Sequence, residues 1–104
     1  MNIATDTPKI DFSKVSTVTS CLKVLSNPDR LKILCVLVEG ELNVQQIEDC
    51  TDIHQPSLSQ QLTVLRNNQM VKTRREGKQI FYCVADEKVL KLMQTLYELY
   101  CQES

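Results

Sequence analysis

A mainly α-helical domain carrying one small β-hairpin is the fold class this sequence predicts. Three observations lead there. Apolar residues recur at helical spacing over most of the chain. A single stretch, Met70 to Ala85, alternates in two short runs around a glycine. Only two glycines and three prolines are present, too few for the many tight turns of an all-β design.

The elements follow in order. Residues 1–10 show no periodic pattern and are expected to form a flexible tail, leaving 11–104 as one domain. Phe12, Val15, Val18, Leu22 and Leu25 mark a first helix. "SNPDRLKIL" opens a second: Asn27 caps, Pro28 suits the first turn, and Asp29 favours the positive helix end. This helix is expected to run to about Glu39, where Gly40 stops it. Leu31, Leu34, Cys35 and Val38 share one stripe, expected to face inward, but Ile33, Val36 and Leu37 make the helix apolar nearly all round, the mark of a buried helix. A short third helix is expected from about Val44 to Cys50, then a turn, "TDIHQ".

The fourth helix, "PSLSQQLTVLRNN", puts Leu58, Leu62 and Leu65 on one face and Ser57, Ser59, Gln60, Gln61 and Thr63 on the other. Two alternating runs around Glu76-Gly77 then read as a hairpin with a basic tip. Glu87 to about Cys101 is a last helix with more large apolar residues than one flank of a small domain needs. Part of it, with Val89, Met93, Leu96, Tyr97 and Tyr100 as candidates, is expected to face a partner chain. Helix, helix, short helix, turn, polar-faced helix, hairpin, helix is the order of a winged helix-turn-helix, here expected to be a homodimer.

Composition narrows the function. With 42% hydrophobic and 24% charged residues the chain reads as an ordinary soluble domain. The longest apolar run, Ile33 to Val38, is far too short to span a bilayer. No basic start followed by an apolar stretch marks a secretory signal, so a cytoplasmic protein is expected. Five cysteines, an odd number with no CxxC pair, do not form a secreted disulfide framework, and most should be free thiols. No glycine-rich phosphate loop and no Cys-His nucleophile setting is present around the lone His54, which argues against an enzyme. His54 itself reads as a turn or cap residue.

Net charge is −1, yet the charges are segregated. Arg66, Lys72, Arg74, Arg75 and Lys78 face Glu76 alone, whereas Glu39, Glu41, Glu48, Asp49 and Asp52 form a segment with no base. Such asymmetry suits docking a polyanion in one orientation. A recognition helix sits on the core by one face and reads base edges by hydrogen bonding with the other. Gln55, Ser57, Ser59 and Gln60, in the turn and first turn of the fourth helix, are the candidates for that role. Arg74, Arg75 and Lys78 on the hairpin, with Arg66 at the helix end, would hold phosphates. Either feature alone would describe a solvated surface; together, in this order, they point to double-stranded operator DNA rather than to a protein-interaction module.

On "LSNPDRLKIL", "HQPSLSQQLTVLRNNQMV" and "TRREGKQIFYCV", residues 15 to 101 resemble the ArsR/SmtB family of bacterial repressors. The resemblance implies a dimer built on the first and last helices that represses transcription until an inducer binds. Many members sense metals. One of their sites uses cysteines in a segment resembling "ELCVC", which here reads "ELNVQ", with Asn43 and Gln45 in place of thiolates. Another uses histidines and carboxylates on the last helix, which here has no histidine. Soft metals want thiolates and zinc wants several Cys or His ligands, so neither a metal nor a cofactor is expected, and a metal-responsive repressor would need a non-standard site.

Cys35 in "LKILCVL" and Cys101 in "LYELYCQ" match the two cysteine positions of the sulfide- and persulfide-responsive subgroup of BigR, SqrR and HlyU type. That resemblance implies a redox switch: sulfane sulfur or an oxidant links the two thiols, by a polysulfide bridge or a disulfide, and the repressor leaves DNA. Local chemistry argues for ordinary or weak thiol acidity, because an apolar setting raises a thiol pKa and Cys101 sits at the negative end of its helix. Cys21, Cys50 and Cys83 read as packing residues, with Cys50 closest to the reading turn.

Overall fold

The structure, a computed structural model, describes residues 9–101. Of the tail expected over 1–10, residues 1–8 lie outside them. The described chain folds as α1 (Val15–Leu25), α2 (Pro28–Val36), β1 (Leu42–Asn43), α3 (Val44–Thr51), α4 (Ser57–Asn67), β2 (Val71–Glu76), β3 (Gln79–Val84) and α5 (Glu87–Tyr100). This is a winged helix-turn-helix.

Local chemistry sets the helix starts. The Asn27 side chain accepts from the Asp29 and Arg30 amides at 2.9 and 3.1 Å, and Pro28 gives up no needed donor at the first position of α2. Asn43 and Gln46 form a reciprocal capping box at α3, at 2.8 and 2.9 Å. Asp86 accepts from Lys88 N at 2.8 Å and starts α5. The second helix ends at Val36, earlier than the expected Glu39. The Leu37 amide reaches both Ile33 and Leu34 carbonyls, and Gly40 N reaches Leu37, so the last turn tightens before Gly40 breaks it at φ +150°.

Ile33, Leu34 and Leu37 of α2 and its last turn, Ile47 of α3, and Leu58, Leu62 and Leu65 of α4 form the core. Val71 opens the hairpin against them, and Val89 and Met93 close it from α5. This corrects the expected partner-facing set: Val89 and Met93 are 4% and 1% exposed, seated in the chain's own core rather than on an open face. Helix spacing places them one turn apart on the inward stripe.

The sheet has strand order β1-β3-β2, antiparallel throughout. Val71 pairs with Val84 and Glu76 with Gln79, so the two-residue turn is Gly77-Lys78, one residue later than expected. Gly77 sits at φ +63°, the left-handed conformation such a turn needs. The two-residue β1, pairing Leu42 with Tyr82, is an addition to the expected elements.

Candidate nucleic-acid interface and thiol groove

The turn before α4 is held by Ile53, which is buried in the core, and by a set of polar contacts. Asp52 ends α3 in the left-handed conformation at φ +60°. Thr51 Oγ1 donates to Ile47 O at 2.7 Å and accepts from Ile53 N at 3.3 Å, so the one polar side chain buried among the described residues is satisfied. His54 sits between two carboxylates, Nδ1 at 2.8 Å from Glu48 and Nε2 at 2.9 Å from Asp52. The hydrogen bond to Glu48, helped by the Asp52 charge, raises the His54 pKa above the ordinary imidazole value. The sequence marked His54 only as a turn residue, because contacts from six residues back follow no helical or strand period.

The outward face of α4 carries the expected polar residues, with roles already divided. Gln55 Oε1 accepts from Ser59 N at 3.0 Å and from Ser59 Oγ at 2.7 Å. These two therefore cap the helix for each other, leaving the Gln55 amide donors and the Ser59 hydroxyl lone pairs outward. Ser57 is half-buried, while Gln60 and Thr63 are exposed. Gln61 accepts from Arg30 Nη1 at 2.9 Å, and Arg30 Nε donates to Val24 O at 2.8 Å, tying α4 to α1 and α2.

On the hairpin the cations also differ. Arg74 lies 4.8 Å above the Phe81 ring, donates to Glu41 from Nε at 3.1 Å and to Glu76 from Nη1 at 2.9 Å. Its hydrogen bond to Glu41 holds that carboxyl below its ordinary pKa. Asn43 Nδ2 donates to Gln79 at 3.0 Å, a second tie between β1 and the wing. Arg66, Arg75 and Lys78 are exposed and form no ion pair among the described residues. Of the four expected phosphate-holding cations, Arg74 is thus the one already engaged within the chain.

Cys35 is not on the inward stripe. It is exposed, and α2 meets the core through Ile33, Leu34 and Leu37 instead. An all-round apolar helix has no polar face to fix its orientation, so periodicity could not choose between these rows. Cys35 opens into a groove of about 770 Å³ between α2 and α5, lined also by Val38, Glu39, Gln94, Tyr97 and Glu98. Cys101, exposed, caps α5, its amide donating to Tyr97 O at 2.9 Å one turn back. Partial burial pushes the Cys35 thiol pKa up, and the neighbouring Cys101 sulfur adds to the rise. Cys101 at the end of α5 is thus near enough for its charge to act on Cys35.

Cys50, also exposed, shares a second, shallower groove of about 510 Å³ with Cys35, Leu31 and Lys32. Cys21 and Cys83 are half-buried, and burial with the Asp86 charge raises the Cys21 pKa. Among the described residues, no three Cys, His, Asp or Glu side chains converge as a metal-binding group. No helix there is long and apolar enough to cross a membrane.

Residues 27–73 match the family described as "Bacterial regulatory protein, arsR family". The chain is 47% identical over 88 residues to the "Biofilm growth-associated repressor" of Agrobacterium fabrum, covering 85% of this chain and 75% of the relative. It is 38% identical over 81 residues to the "Transcriptional activator HlyU" of Vibrio cholerae, covering 78% of this chain and 75% of that one. The crystal structure of the transcriptional repressor BigR from Xylella fastidiosa superposes with a TM-score of 0.82 at 46% identity, over 86% of this chain and 92% of that chain. Shared fold, matched helix-turn-helix and this level of identity agree: the chain belongs to the arsR family of bacterial regulatory proteins, and it is a regulator rather than an enzyme.

Proposed function

We propose that the chain is a dimeric cytoplasmic repressor that holds operator DNA while its thiols are reduced and releases it when Cys35 and Cys101 become linked. The observation that carries the reading is the groove between α2 and α5, with Cys35 in its wall and Cys101 one turn beyond Tyr97. The higher-identity relatives are named as repressors, which supports repression over activation.

DNA engagement is assigned to the α4 face and the wing. Gln60, the Gln55 amide and Ser59, with Ser57 at the helix start, enter the major groove, where such donors and acceptors read base edges. Arg66, Arg75 and Lys78 take phosphates, while Arg74 chiefly anchors the wing to Glu41. The two apolar strips left open, Phe12, Val15, Val18 and Leu22 near α1 and Tyr97, Leu99 and Tyr100 on α5, form the dimer contact, with half-buried Leu96 at its edge.

The linkage balances as a thiol exchange. The Cys35 thiolate attacks the outer sulfur of a persulfide RS–SH, forming Cys35–S–SH and expelling RS⁻. The Cys101 thiolate then attacks the Cys35 sulfur, closing a disulfide and expelling HS⁻. If Cys101 also carries sulfane sulfur, the two persulfides condense to a trisulfide with loss of H₂S. A bridge ties α2, which carries the core, to α5, which carries the dimer contact. Operator half-sites lie about 34 Å apart, so a small change in α5 misplaces both reading helices. A coupling of about 1–3 kcal/mol is enough to shift occupancy by one to two orders of magnitude.

The test is intact mass and peptide mapping after treatment with a persulfide donor, followed by operator titration on the same sample. Linkage of Cys35 to Cys101 with loss of binding is the expected outcome. A linked dimer that binds as tightly as the reduced one refutes the switch.

A further inference from the structure

The groove at Cys35 is lined by ionisable side chains of one sign. Glu39, just past α2, and Glu98 on α5 face it from opposite walls, and the remaining polar contribution comes from Gln94 and the Tyr97 hydroxyl. Neither carboxylate is ion-paired among the described residues. The nearest cation on α2, Lys32, lines the other groove, on the Cys50 side. Cys35 therefore stands where two grooves meet, and only one of them leads to α5. A carrier that approaches Cys35 along the α5 groove passes both carboxylates.

We propose that Glu39 and Glu98 make this groove selective by charge, so that persulfides with neutral or cationic carriers reach Cys35 and those with anionic carriers are held off. The idea rests on the thiol-linkage reading above and specifies its substrate class. In the productive approach the carrier R of RS–SH is the leaving group, so it stays in the groove mouth while sulfur transfers. A carboxylate on R then meets Glu39 and Glu98 in the same small space as the leaving thiolate, which adds a further negative charge. An ammonium on R is attracted instead.

Each unit-charge pair separated by about 8 Å of water changes a rate about twofold. Two carboxylates acting on carriers that differ by two charges give a preference of roughly tenfold or more at low ionic strength. At 1 M salt, where screening acts over about 3 Å, the preference should vanish.

The experiment uses the full chain, reduced, with two probes: cysteamine persulfide, whose carrier is cationic, and glutathione persulfide, whose carrier is net anionic. Sulfur transfer to Cys35 is followed by mass spectrometry. Each rate is divided by the rate of the same probe with a small free thiol, which removes intrinsic reactivity. The expected result is about a tenfold preference for cysteamine persulfide at low salt. It should collapse in 1 M salt and in Glu39→Gln/Glu98→Gln, while reduced operator binding and the Lys32→Gln preference stay unchanged. A preference that survives both salt and the double variant belongs to size and overturns the proposal, as does equal reaction of both probes. If neither probe modifies Cys35, the thiol-linkage reading fails and takes this one with it.

Discussion

Cys35 shows how one residue's environment decides its chemistry. Its thiol stands under partial cover and within reach of the Cys101 charge. Burial first and the Cys101 sulfur second both favour the protonated form. Peroxide and persulfide both need the thiolate, so the first step at Cys35 should be slow with either, and the second thiol acts only afterwards, by resolving the adduct. In a pH series of carbamidomethylation read by peptide mapping, the Cys35 rate should still be climbing where an unstructured cysteine peptide has levelled off. Cys101→Ser should move the profile part of the way back, since only the second contribution is lost. A Cys35 profile that levels at or below the peptide's sinks this account. The sequence showed that Cys35 and Cys101 are both present at telling positions, but it placed Cys35 inward. A helix apolar on every side gives no phase, and only the packing of α2 against α1, α3 and α4 resolves which row faces the core.

Element starts with strong local chemistry were legible to within a residue or two. The α2 start follows from Asn27-Pro28, the α4 seat from Leu58, Leu62 and Leu65, and the α5 start was placed at Glu87. What escaped was set by distant partners. The strand β1 is two residues long and exists because β3 pairs with it, and the Glu41–Arg74 tie crosses from β1's flank to the wing. Val89 and Met93 were legible as apolar, yet not as inward, because α5 offers apolar residues on two faces. The seat of α4 makes a direct forecast: Leu65→Ala, at a fully buried site, should lower unfolding stability by about 2–5 kcal/mol in a denaturant titration. A loss under 1 kcal/mol would mean that the reading helix is not held by this row.

The turn ahead of α4 makes a second forecast at this scale. The His54 pKa is raised in the folded chain, so the protonated form is what Glu48 and Asp52 stabilise. The contribution is fully present below the unfolded imidazole pKa, about 6.5. It is lost as pH rises through the higher folded value. The stability difference between the wild type and His54→Gln should thus be largest near pH 6 and shrink by pH 9. A difference that grows over that window reverses the assigned sign.

At the scale of the whole molecule, the chain leaves unburied what a small domain can least afford to leave in water. Phe12 is 70% exposed, Leu99 69% and Tyr100 81%, with Val15, Val18 and Leu22 forming a row along α1. In the dimer proposed above, a partner seated on this row and the α5 end would leave α4 and the wing to DNA. The α5 end is also where Cys101 lies, which places the thiol groove at the margin of the same surface. A charge set into the α1 row, away from the core and from the DNA face, separates assembly from folding. Val18→Lys is half-exposed at its site, keeps a good helix former, and should leave the helical circular dichroism and thermal unfolding of the separated chain cooperative. In sedimentation analysis it should shift the protein to monomer. Operator affinity should then fall by about a hundredfold or more, because two linked half-site contacts become two independent ones. Binding to an isolated half-site should change little. A Val18→Lys protein that remains dimeric would move the contact to another face. One that is monomeric yet binds full operator undiminished would show that the two reading helices act without each other, and a bridge at α5 could then no longer release DNA by changing their spacing.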